Sequence, residues 1–197
     1  VCARTYAYRQ IQGNAYSQYG AHVDDSTNYQ VYNNTASDPR TDEAVLATYG
    51  QMLFWDGEAI EACYFSTSCG HTTDGSVWGA AGAALPYLQA VEVRERRETL
   101  DLGDNDAFDA FIRSKDIPSY DSDFPMYRWN VSIPASLLEG RFEGVGQVQN
   151  MAVTERGPGG IAQEIQIQGS SGTAQIRTQS QIRSQLGDAS LVFHRND

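Results

Sequence analysis

Three segments in the last third of the chain, residues 127–133, 146–155 and 161–168, alternate apolar and polar side chains with period two. A strand sends successive side chains to opposite faces, so this pattern calls for a sheet. The earlier half reads differently. Ala3, Tyr6, Ala7 and Ile11 follow helical spacing. Asp38-Pro39 opens a second helix, with an acceptor just before a proline at the first helical position. In that helix Glu43 falls in the first turn, Ala44, Val45 and Thr48 make the inner face, and Gly50 supplies the stop.

Between these regions, Asp56-Gly57 joins two strand candidates, 51–55 and 58–65. Such a turn needs positive φ, which glycine tolerates. A short strand is expected at 29–32, another at 87–93, and a helix at 104–114 with Phe108, Phe111 and Ile112 inward. Short helices are expected at 134–139 and 178–186, the second stopped by Gly187. Helices and strands do not alternate as βαβ units. The expected fold class is therefore α+β, with a mixed or mainly antiparallel sheet, short helices and long groove-forming loops. The loops are 13–37, rich in Asn, Ser and Tyr, and 66–86, rich in Ser, Thr, Gly and Ala. Long loops in a folded domain are more often functional than idle.

Composition narrows the function. Apolar residues form 41% of the 197, enough for a core. No run approaches eighteen apolar residues, so no membrane span is expected. No signal peptide opens the chain; an exported protein would carry it upstream or have lost it. Acidic side chains number 25 against 14 basic ones, a net charge of −11, and the one local basic run, 94–97, is broken by Glu95. Nucleic-acid affinity comes mostly from clustered cations on phosphates, so that class of partner is excluded. The acidity fits a soluble protein, or one whose ligand is neutral or cationic.

Cys2, Cys63 and Cys69 allow at most one internal disulfide. A Cys63–Cys69 bridge in an oxidising compartment and a pair of small buried thiols both fit. Eleven tyrosines and three tryptophans are available to stack on the flat face of a ligand or to fill a core, and Tyr32, Trp78 and Tyr87 are read as core.

Several segments, in order, carry a resemblance. They are Ala3-Arg4-Thr5-Tyr6-Ala7; Asp25-Ser26-Thr27 followed by Gln30-Val31-Tyr32; Ala44-Val45-Leu46-Ala47-Thr48 with Gly50 and Leu53; and ACYFSTSCGHT from Ala62 to Thr72. Trp78, Pro86-Tyr87-Leu88, Trp129-Asn130-Val131 and Ser180 to Leu186 with Phe193 follow. Together they resemble the central part of the stage II sporulation protein D and amidase-enhancer family, over nearly the whole chain as one domain, 1–197, cut at both ends. The resemblance implies an extracytoplasmic protein of the bacterial cell envelope that engages peptidoglycan glycan strands. Family members of the sporulation type are lytic transglycosylases. They cleave the bond between N-acetylmuramic acid and N-acetylglucosamine with one carboxyl group as acid and then base. The family's catalytic glutamate precedes the segment matched by Arg4 and Thr5, a stretch before Val1, so no catalytic residue is assigned here. The alternative is a non-catalytic envelope module that recruits or stimulates an amidase, or forms part of a surface assembly.

The substrate groove implied by the resemblance is lined by Ser66, Ser68, Gly70 and His71 on one side and by Arg4, Asp25 and Gln30 on the other. Arg4 suits a carboxylate, or it pairs with Asp24 or Asp25 to brace its loop. The 66–71 run suits a ligand, or it is a turn bonded to its own backbone. Some family members hold zinc with Cys and His near the Gln-x-Tyr loop; here that loop offers only His22. With Cys63, Cys69 and His71 the four required ligands assemble only if the loop folds back, so no metal or other cofactor is expected.

Overall fold

The structure, a computed structural model, describes residues 1–26, 29–95, 100–114 and 116–187. Thr27, Arg96, Arg97 and Phe193, which enter the sequence reading, lie outside the described residues. The described chain is α+β, with five short α-helices and two antiparallel sheets, and divides into two compact units, 1–66 and 67–197.

The first unit holds α1 (Cys2–Ile11), α2 (Pro39–Ala47) and a hairpin of β1 (Phe54–Trp55) and β2 (Glu58–Ala59). Asp38 caps α2 by accepting a hydrogen bond from the Arg40 amide, and Pro39 stands at the first helical position. The hairpin turns through Asp56 and Gly57, with φ of 49° and 80°. Both positive values mark the primed turn that matches strand twist. The strands are far shorter than their sequence patterns, because Ile60 makes one last bond to Leu53 and the Cys63 amide then bonds Glu61 two residues back, curling the chain away.

Two expectations fail in this unit. No strand forms at 29–32; the Gln30 side chain instead donates to the Ala3 carbonyl and to the Tyr64 hydroxyl. The inner face expected on α2 is largely open, with Ala44 exposed, Val45 56% exposed and only Thr48 half-buried. This helix is held by its C-terminal carbonyls rather than by side-chain burial, as the site geometry below makes plain.

The second unit holds α3 (Ala80–Ala83), α4 (Asn105–Arg113), β3 (Val148–Arg156), β4 (Ala162–Gly169), β5 (Thr173–Arg177) and α5 (Gln179–Leu186). The three strands form an antiparallel meander, β3-β4-β5. Ile165 and Ile167 project from the same face of β4, and Ile165 is paired with Ile176 of β5. With Leu138, Phe142, Val145 and Ile182 they form the core of the unit. The α4 cap is Asp104, which accepts from the Ala107 amide.

β5 was not legible as a strand, whereas 127–133 and 87–93, which were, do not form one. Alternation at 127–133 fails because two neighbours turn inward together. Tyr127 is buried, and the Arg128 guanidinium stacks on the Tyr127 and Phe111 rings at 4.1 and 5.2 Å while donating to the carbonyls of Cys69, Tyr127, Phe111 and Ser114. Residues 87–93 make one bridge, His71 with Glu92, and otherwise bond to turns. Trp78, expected in the core, is 66% exposed, and Tyr32 is exposed as well.

Candidate functional site

Arg4 and Thr5 sit on the face of α1 that meets the start of the hairpin. Thr5 is fully buried; its hydroxyl donates to the Val1 carbonyl at 3.0 Å and accepts from the Leu53 amide at 3.0 Å. One side chain thereby satisfies an acceptor at the helix start and a donor on the approaching strand. Arg4 points the other way along the same joint. Its guanidinium donates to the carbonyls of Val45, Thr48 and Gln51. A cation placed on the last carbonyls of a helix satisfies unbonded acceptors and complements the helix dipole. Arg4 therefore braces the end of α2, not Asp24 or Asp25.

Gln30 is tied to Ala3 and Tyr64, while Asp25 is exposed and contributes its carbonyl to the Tyr32 amide. The neighbouring Asp24 collects bonds from the Ser26 hydroxyl and amide and from the Tyr16 hydroxyl, which hold its carboxyl below the ordinary aspartate range. The Asp24 bond raises the Tyr16 hydroxyl correspondingly. The rings of Tyr19 and Tyr29 lie 6.3 and 5.8 Å from Tyr16, so three tyrosines of the first loop stand ring beside ring.

The 66–71 run crosses the boundary between the units. Ser66 is in the first unit with Arg4, Asp25 and Gln30; Ser68, Gly70 and His71 are in the second. Within the second unit the run is tightly bonded. The Asp121 carboxylate accepts from the Ser68 amide, and the Ser68 hydroxyl accepts from the Gly70 amide at 2.9 Å. Gly70 is buried with φ of 94°, and a Cβ there would lie 2.9 Å from the Tyr127 hydroxyl. Glycine is needed for both reasons. The imidazole Nδ1 of His71 lies 2.7 Å from the Thr72 carbonyl. The run is thus held both by its own backbone and by Asp121, Val93 and Arg128.

All three cysteines are free; Cys2 and Cys63 are exposed and Cys69 is half-buried, so neither the Cys63–Cys69 bridge nor a pair of buried thiols is formed. Burial first, and then the charge of Glu61, push the Cys63 thiol above its usual value, which keeps it protonated. Among the described residues no three His, Cys, Asp or Glu side chains are grouped to hold a metal, and no helix is long and apolar enough to cross a membrane.

Sequence reasoning missed a cleft of about 560 Å³ in the second unit, lined by residues 76–79, Glu155, Gln163 and residues 177–180. Its residues come from three distant stretches, and of these the sequence analysis names Trp78, as core, and Ser180, as part of the family resemblance. The available signal was the Gly75 and Gly82 pair flanking that tryptophan.

The fold and these sites define a two-unit α+β protein whose second unit carries a cleft lined by Trp78 and by side chains of the sheet. The chain belongs to the family described as Domain of unknown function (DUF8618), whose model matches residues 74–194. Residues 1–55 match the model described as Stage II sporulation protein, so the first unit carries a segment of the sporulation protein D and amidase-enhancer family. An uncharacterized protein of Brachyspira hyodysenteriae is 40% identical over 92 residues, 46% of this chain and 24% of that protein. Stage II sporulation protein D of Bacillus amyloliquefaciens is 32% identical over 106 residues, 47% of this chain and 30% of that protein. The amidase enhancer of Bacillus subtilis is 34% identical over 91 residues, 46% of this chain and 11% of that protein. The chain thus spans less than a third of the length of these relatives. No solved structure is a significant match.

Proposed function

We propose that this chain belongs to an extracytoplasmic protein of the bacterial cell envelope and engages peptidoglycan glycan strands. The observation that carries the reading is the sporulation-protein match over residues 1–55, together with relatives named for sporulation and for amidase enhancement. The matched segment is also the segment whose Arg4 and Thr5 organise the first unit, so the likeness falls on residues that build the fold. In the full-length protein the activity proposed is lytic transglycosylase cleavage of the bond between N-acetylmuramic acid and N-acetylglucosamine.

A second reading has its own support in the name of the Bacillus subtilis relative: a module that stimulates an amidase without cutting a glycosidic bond. Purified sacculi separate the two. Co-sedimentation of the 197-residue chain with sacculi is expected under both. Release of 1,6-anhydro-muropeptides by the full-length protein, seen by mass spectrometry, is expected only under the first. A chain that stays in the supernatant with sacculi sinks both readings.

A further inference from the structure

We propose that the cleft beside Trp78 in the second unit is a saccharide subsite for an N-acetylhexosamine ring, outside the segment that the sporulation-protein match covers. The choice of sugar rests on the murein reading above; the existence of the site rests on geometry. Trp78 is 66% exposed and borders the cleft. Its exposure is built rather than incidental. Asp74 accepts from the Ser76 amide and hydroxyl and so opens the 3₁₀ turn Gly75–Trp78, and α3 follows at once. Gly75 and Gly82 pack backbone to backbone: a Cβ on Gly75 would meet the Gly82 carbonyl oxygen at 2.2 Å, and one on Gly82 would meet Gly75 at 2.1 Å and the Trp78 Cβ at 2.7 Å. That contact leaves the indole no interior to enter and holds it at the cleft wall.

Polar side chains from the sheet and from the start of α5 line the same cleft. Glu155 lies between two register irregularities of the β3–β4 ladder. Bulges re-aim side chains and concentrate beside binding sites. Gln163 and Arg177 line the same cleft, and the Arg177 guanidinium is anchored to Glu164 at 2.7 Å. Thr178 joins β5 to α5 with φ of 69° and ψ of 140°, while its amide bonds the Gln163 carbonyl. A β-branched residue at positive φ is a true outlier, and such strain collects at ligand sites. The turn directs the opening of α5, with the early amide groups at Gln179 and Ser180 that a helix leaves without internal acceptors, onto the cleft. A flat apolar face for the indole and a ring of hydroxyls with one acetamido carbonyl for the polar side chains is what a hexosamine offers.

The test is titration of the 197-residue chain with a chitin-derived tetrasaccharide, read by indole fluorescence and by amide shifts. We expect shifts at Trp78, Gln163, Arg177 and Ser180, at least tenfold weaker binding in Trp78→Ala, and unchanged binding in Trp129→Ala. A glucose tetrasaccharide lacking acetamido groups is expected to bind at least fivefold more weakly. Trp78 is exposed, so circular dichroism of Trp78→Ala should match the parent. No perturbation of the cleft, or equal binding by Trp78→Ala and the parent, overturns the subsite. Sedimentation with sacculi is scored separately: if the parent and Trp78→Ala sediment alike and bind the tetrasaccharide alike, the subsite falls and the murein reading stands. If neither sediments but the tetrasaccharide still shifts Trp78, the murein reading falls and the subsite stands.

Discussion

At the residue scale, two carboxylates show how local bonding sets a charge. Asp24 lies on the first loop and Asp121 beside the 68–72 turn. Burial alone would raise Asp121; the bonds from the Ser119 hydroxyl and from Ser68 outweigh it and leave the carboxyl below its ordinary value. A folded pKa below the unfolded one, about 3.9 for aspartate, adds stability that is present above that unfolded value. It is lost as pH falls through the lower, folded value. Hydrogen exchange at the Ser68 amide should therefore stay slow at neutral pH and quicken in acid, beyond the intrinsic pH dependence, below the ordinary carboxylate range. In Asp121→Asn the amide should exchange fast at neutral pH and show no such acid step. Persistence of slow exchange in that variant would show that the turn does not depend on the carboxylate. Thr5 and Arg4 make a related point without titrating. Each serves backbone groups of another element, and a lost partner for a buried group costs about 1–3 kcal/mol.

Among the elements, burial decides which substitutions matter. Ile167 on β4 is fully buried in the cluster with Val145, Ile165 and Ile176, whereas Val45 on α2 is more than half exposed. Ile167→Ala should cost about 2–5 kcal/mol, the transfer of the lost methyl groups plus the cavity they leave. Val45→Ala should change stability by no more than about 0.5 kcal/mol. Urea denaturation followed by circular dichroism measures both. If the two variants proved equally destabilised, α2 would have to be covered by a surface that the first unit does not supply on its own. Three helices were legible for a local reason: Asp38, Asp104 and Thr178 each cap the helix that follows them, and capping is decided within three or four residues, whereas α3 lay inside a stretch read as loop. The strands at 29–32, 87–93 and 127–133 misled because alternation states a preference for a sheet and cannot supply the neighbouring strand.

For the whole molecule, a net charge of −11 sets the terms of any contact with the wall. A net negative charge does not favour attraction to an anionic polymer, so the proposed binding to murein would rest on hydrogen bonds and ring contacts. Sedimentation with sacculi should hold steady or strengthen when salt rises from about 50 to 500 mM, because screening weakens only repulsion. A steep loss with salt would mean that local cations such as Arg177 carry the binding. Much of the α+β class was legible, because capping residues, the Asp56-Gly57 turn and the period of 146–155 and 161–168 act over short stretches. The family likeness of residues 1–55 was legible for the same reason, as short runs in a fixed order. What lay beyond reading were the pairings between distant residues. Arg4 found carbonyls more than forty residues away, Arg128 turned inward where alternation sent it out, and Trp78 was held outside the core by a contact between Gly75 and Gly82. By itself the sequence determined local conformation, overall charge and the likeness of its first 55 residues. Only the tertiary structure decided which polar groups spend their bonds on the fold and which side chains face an open cleft, since a partner's position depends on the whole packed chain.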